Sequence, residues 1–163
     1  MRFILFAFLL LPSIPGFSQD FNRLKLLQYT DDVDYRVFEN DMLECADYIL
    51  SVPVSGDSNR DIAVQALIRW MRGTPDYVFE LNRPILAMAK EDHDILDIYM
   101  AAMTKSILEH KEIADDPEEV AYRAFTVFLN YCANPGNKVP ITRRIQKAID
   151  AKNKNRLRSY LQP

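Results

Sequence analysis

An all-α fold follows from three observations on the sequence. Apolar residues recur at helical spacing in several long stretches. Capping side chains, Pro or Gly punctuate the segments between them. No run alternates with the period of two that a half-buried strand needs. About six helices are expected, sorted as three helical hairpins that begin near Tyr35, Asn82 and Pro117. Two arrangements fit this order: a degenerate helix-repeat (solenoid-like) stack, or an irregular bundle. A chain of 163 residues, 48% apolar, with four glycines and a net charge of −3, has the size of one domain with its own core. The same composition excludes collagen-like, low-complexity and disordered classes.

Residues 1–18 read as a signal peptide and stand apart from the fold. Arg2 supplies a positive n-region, residues 3–11 are unbroken apolar, and Gly16 and Ser18 are the small residues before a cut that leaves Gln19 first. The apolar run falls well short of the roughly twenty residues a helix needs to cross a bilayer core. No cysteine stands at the cut to accept a lipid, and no later stretch is long and apolar enough to span. The expectation is a single helical domain over 19–163, secreted or periplasmic, with no transmembrane segment in the mature chain.

Phe21, Leu24 and Leu27 recur every third residue and predict a short first helix. The run TDDVD at 30–34 offers caps for a helix over 35–51. There Phe38, Met42, Cys45 and Ile49 form one stripe, and Asn40, Glu44, Asp47 and Ser51 share another face. Pro53 and Gly56 make a turn, and Ser58 with Asp61 forms a variant of the capping box that opens the next helix, 60–73. Its polar residues Asp61, Gln65, Arg69 and Arg72 occupy one thin stripe. A helix that shows water so little must be packed around on most of its circumference, which predicts this one at the centre of the fold. Gly73, free to turn left-handed, ends it, and Pro75 prevents its resumption.

A shorter helix over 82–90 carries Pro84 in its first turn and turns Leu81, Ile85 and Met88 inward. The stretch 94–111 is strongly helical, with Leu96, Tyr99, Met103 and Ile107 on one stripe and Ala101 and Ala102 allowing close approach. Asp116 as cap, Pro117 at the first position, and Glu118 and Glu119 at the positive end of the helix dipole start a helix to about Ala133. Its polar strip, Glu119, Arg123, Thr126 and Asn130, is narrow, so it should be a second buried helix. NPGNK ends it. A last helix over 141–151 resumes, after an NKN interruption, to Leu161.

Three stretches, WMRGTPDYVFEL from Trp70, LDIYMAAMTKSILE from Leu96 and FLNYCANPGNKV from Phe128, resemble a group of small secreted all-helical proteins of uncharacterised function from Gram-negative bacteria. The resemblance implies a helical fold and an extracytoplasmic address. It carries over no catalytic or binding position.

Chemistry-bearing residues are few. Trp70, Asp76 and Tyr77 in WMRGTPDY would line a ligand groove; alternatively Trp70 anchors the core and Asp76 bonds its own turn backbone. EDHD at 91–94 and His110 are the metal-like material, yet no HExxH motif or second histidine one turn away accompanies them. Asp92 or Asp94 is therefore expected to cap the long helix, and neither metal nor cofactor is expected. No GxSxG elbow, CxxC pair or clustered glycines occur, so the expectation is non-enzymatic. Cys45 and Cys132 are an even pair suited to a disulfide in an oxidising compartment, or each is a small hydrophobe on an apolar stripe.

Charge is the one asymmetry. From residue 138 onward Lys138, Arg143, Arg144, Lys147, Lys152, Lys154, Arg156 and Arg158 face Asp150 alone, so a basic tail follows an acidic body. Either Arg143, Arg144 and Lys147 meet an anionic surface partner, or the tail docks Ile145 and Ile149 on the core and shows water a solvated face. Outside the cell no nucleic-acid partner is expected. The leading expectation is an extracytoplasmic, non-enzymatic helical interaction module for another macromolecule, an unknown protein or an anionic surface. The alternative is a small hydrolase or lipid-binding protein whose site, in an inter-helix groove, gathers scattered carboxylates with His93 and His110.

Overall fold

The computed structural model describes residues 21–26, 31–55, 57–90 and 92–162. The expected signal peptide, Leu27, Thr30 and Gly56 lie outside the described residues. All regular structure among the described residues is helical, and an all-α bundle results.

The chain opens on a 3-10 turn, Phe21–Leu26, with Phe21 and Leu24 buried. The spacing of three is that of the 3-10 helix itself, in which residues i and i+3 eclipse. The helix expected over 35–51 is two helices, α1 (Asp32–Val37) and α2 (Glu39–Ser51), with a kink at Phe38. Along α2, Met42, Cys45 and Ile49 are buried, while Asn40, Glu44, Asp47 and Ser51 face water.

Helix α3 (Ser58–Met71) keeps Asp61, Gln65, Arg69 and Arg72 exposed. Its cap is Asp57 rather than Ser58. Asp57 has extended backbone, so its carboxylate folds over the first turn and accepts from the Asn59 and Arg60 amides at 2.8 and 3.4 Å, whereas Ser58 is already helical. Arg60, on the rim of the polar stripe, is instead buried, at 2% exposure. Gly73 ends the helix without entering the left-handed region; a Cβ there would overlap the phenol of Tyr35, which would have to move to admit it.

Helix α4 (Arg83–Ala89) is capped by Asn82, which accepts from the Ile85 amide at 3.1 Å, and it buries Ile85 and Met88. Leu81 is 36% exposed rather than inward, because it precedes the cap and belongs to the extended stretch before the helix. Then come α5 (Asp94–Glu109), α6 (Pro117–Ala133), α7 (Arg143–Asn153) and α8 (Leu157–Leu161). Asp116 caps α6 as expected, accepting from the Glu119 amide at 3.0 Å.

The centre of the fold is α5, not α3. It packs against α2, α3, α4 and α6, whereas α3 rests mainly on α2 and the opening 3-10 turn. Between Ile95 and Ile107 even the polar residues Thr104 and Ser106 are buried, the Ser106 hydroxyl donating to the Ala102 carbonyl one turn back at 2.7 Å. A helix with a continuous exposed strip, such as α3, can be covered on fewer sides. Tyr99, Phe125 and Phe128 lock α5 to α6 edge-on, with ring centroids 5.0 to 6.1 Å apart. The tail then folds onto α6: Ile145, Ala148 and Leu157 are buried, and Asn155, at φ 54°, turns α7 into α8.

Candidate functional site

Trp70 is fully buried at the end of α3, its indole N–H donating to the Tyr35 carbonyl at 2.8 Å, and its ring meets Tyr77 and Phe79 at 5.8 and 6.0 Å. Asp76 accepts the two-pronged guanidinium of Arg36 at 2.6 and 2.7 Å, a long-range partner in place of its own turn backbone. That hydrogen bonding holds the Asp76 carboxyl below the usual carboxylate range. The Tyr77 hydroxyl donates to Glu39 at 2.7 Å, and the other Glu39 oxygen pairs with Lys111. Burial, and then Glu39, push the Tyr77 phenol up to about 12. Trp70, Asp76 and Tyr77 therefore form a clasp joining α1, α2 and α3 to the turn after α5, with each of these polar tips engaged by the protein itself.

Cys45 in α2 and Cys132 in α6 are free, buried thiols, not a disulfide, and burial pushes both up to about 12. Protonated thiols without access to solvent are poor nucleophiles. His93 lies just before α5 and His110 just after it. A helix of that length separates its ends by roughly 24 Å, so no single groove holds both. His110 approaches Glu112 at 3.4 Å, but the hydroxyl one turn away, Ser106, is committed to a backbone carbonyl. Asp92 accepts from the Asp94 amide at 3.0 Å and so starts α5. Among the described residues no group of three or more His, Cys, Asp or Glu is placed to hold a metal ion, and no helix is long and apolar enough to cross a membrane.

The basic tail divides into two rows. The inner row staples it to α6. Arg158 donates to Glu119 at 2.6 Å and lies over the Tyr122 ring at 3.9 Å, and Lys152 reaches Asn130. Glu119, which also receives Arg123 at 2.7 Å, is held below its ordinary value by these two arginines. The outer row is different. Arg143, Lys147, Lys154 and Arg156 are exposed and, among the described residues, make no ion pair. Arg144 is exposed beside them and acts electrostatically on Tyr160.

Lys147 and Arg156 come together on one shallow depression of about 300 Å³, shared with Asp150, Ala151, Ser159 and Tyr160. Arg143 and Lys147 are one helical turn apart on the same face, their Cβ atoms spaced by about 6 Å. The arrangement presents fixed cations and a hydroxyl on a docked, rigid element, a geometry suited to successive anionic groups. Asp150 moderates the field there; it accepts from Gln146 at 2.9 Å. The sequence pattern favours Arg143, Arg144 and Lys147 but misses Arg156, which joins them only through the reversal at Asn155. The asparagine of NKN, a residue type tolerant of positive φ, is the one signal for that turn.

No protein family, curated protein or solved structure matches this chain.

Proposed function

We propose that this protein is an extracytoplasmic, non-enzymatic helical interaction module that binds an anionic macromolecular partner through the outer face of α7 and α8. One observation carries the reading. The tail docks its apolar side, Ile145, Ala148 and Leu157, on the core, yet keeps Arg143, Lys147, Lys154 and Arg156 exposed and without ion pairs among the described residues. Arg158, by contrast, is turned toward α6 and meets Glu119 there. The resemblance to small secreted helical proteins and the leader-like residues 1–18 support the extracytoplasmic address.

The test is retention of the mature chain on sulfated dextran and on anionic vesicles, against neutral dextran and neutral vesicles. The reading expects retention on at least one anionic matrix at low salt and its loss near 1 M salt, where charges are screened beyond about 3 Å. Equal retention on neutral matrices would refute it.

A further inference from the structure

Between α3 and α4 the chain runs extended, and its side chains alternate. Tyr77 and Phe79 turn inward onto Trp70. Val78, Glu80 and Asn82, two residues apart, line the opposite side, as the period of extended chain requires. They form one wall of a furrow. Pro117, Ala121 and Tyr122 from the start of α6, with Leu161 of α8, form the other. Two hollows of about 290 and 220 Å³ adjoin along the furrow, with Glu80 and Pro117 lining both.

Two further properties say what would fill it. Among the described residues, the main chain of 77–81 makes no backbone hydrogen bond, so its donors and acceptors stand open like those of a sheet edge. The rim is anionic: Glu80, Asp115 and Glu118 are exposed and have no ion-pair partner among the described residues. Among the described residues the one cation lining the furrow, Arg158, is neutralised by Glu119. Val78, 71% exposed, is an apolar wall of the smaller hollow.

We propose that this furrow receives an extended cationic peptide segment of a partner protein, added beside residues 77–81 in the manner of a β-strand. Main-chain pairing would supply affinity. On the one side of the segment that faces the furrow, apolar side chains would rest on Val78, Pro117, Tyr122 and Leu161, and lysines or arginines two residues from them would meet Glu80, Asp115 and Glu118. A second copy of this chain fits poorly as occupant. Its strongly cationic segment is helical, and the apolar residues of that segment, Ile145, Ala148 and Leu157, are already buried. A neutral lipid would use neither the carboxylates nor the open main chain. The surface is separate from the basic face of α7, so each can fail without the other.

The experiment measures fluorescence anisotropy of a short labelled peptide of repeating lysine–serine–valine–serine, whose lysines and valines share one side of an extended chain, with hydrogen exchange of the 78–81 amides in parallel. Expected are saturable binding of that peptide, no binding of the same peptide with glutamate in place of lysine, and slowed exchange at 78–81. The pair Glu80→Lys with Glu118→Lys should weaken binding by about tenfold or more through like-charge repulsion, while the charge-matched pair Glu44→Lys with Asp61→Lys, at exposed positions outside the furrow, should leave it close to the parent. Unaltered affinity in the Glu80/Glu118 variant, equal binding of the acidic peptide, or unprotected 78–81 amides would overturn the proposal. So would sedimentation showing a dimer that the same variant abolishes, since the furrow would then hold a second copy.

Discussion

The Trp70 turn and the basic tail both stand out in the sequence as functional material, and the fold treats them in opposite ways. Around Trp70 the prominent polar tips meet a partner of the protein's own: the indole takes the Tyr35 carbonyl, Asp76 takes Arg36, and Tyr77 takes Glu39. On the tail this holds for Lys152 and Arg158, while Arg143, Lys147, Lys154 and Arg156 stay exposed. Residue type does not separate the two regions, because both are rich in groups that bind. What separates them is whether the surrounding helices bring a complementary group within reach. A satisfied cluster holds the fold together; an unsatisfied one on a rigid support is open to a partner.

This contrast can be broken from either side. The largest effect belongs to Trp70→Ala, which should lower the unfolding free energy by about 3–5 kcal/mol through cavity formation and the loss of the indole's bond to the Tyr35 carbonyl. Urea denaturation measures it, and a cost under about 1 kcal/mol would show that the clasp is not structural. Next is Gly73→Ala, expected to cost about 1–3 kcal/mol because the new methyl must displace the Tyr35 ring; pairing it with Tyr35→Ala should recover part of the loss in the cycle.

A smaller effect follows acidification. The Asp57, Asp76 and Glu119 carboxyls are lowered by their hydrogen bonds from Tyr48, Arg36, and Arg158 with Arg123. Their contribution is present above the ordinary carboxylate range, about pH 4, and is lost as pH falls below it. Asp97 runs the other way: burial raises it, so the fold favours its protonated form, and that contribution is lost as pH rises through the raised value. Three lowered groups against one raised predict a net loss of stability below about pH 4, read as a falling thermal midpoint; the loss is modest because the lowered groups are solvent-screened. Asp76→Asn should remove its share of the acid-side slope. The smallest stability effect is expected from Arg143→Glu with Lys147→Glu, within about 0.5 kcal/mol of the parent, since neither touches the core.

Periodicity made the faces of individual helices legible. The stripe Phe38, Met42, Cys45 and Ile49 and the start of α6 at Asp116 and Pro117 depend on residues close in sequence; the last three of the stripe are buried on α2, Phe38 falls half-buried at the break before it, and the start of α6 is found as expected. Relations between helices were not legible. Arg36 and Asp76 are forty residues apart, and nothing local announces their pairing. The central role of α5 depends on four helices covering it, and a thin polar stripe made α3 the apparent centre instead. Nothing in the sequence singles out Arg60, yet its guanidinium is buried with Asp94 3.9 Å away. The furrow beside 77–82 escaped notice for a related reason: five or six extended residues are too few to establish a period of two, and its second wall comes from α6 and α8.

The docked tail also decides how the binding proposal should be examined. Deleting everything after Asn137 would strip Ile145, Ala148 and Leu157 from the core and confuse binding with folding. Charge reversal avoids this. The most direct measurement compares retention on the anionic matrix that holds the parent protein between two variants of equal net charge: Arg143→Glu, Lys147→Glu, Arg156→Glu, and a control, Arg72→Glu, Arg83→Glu, Lys90→Glu, at exposed positions elsewhere. The account predicts that the first variant elutes without retention and the control elutes close to the parent, with both keeping the parent's helical content. Equal loss in the two variants would show that only overall charge matters, and equal retention would show that the outer face of α7 and α8 binds nothing; either result contradicts the account.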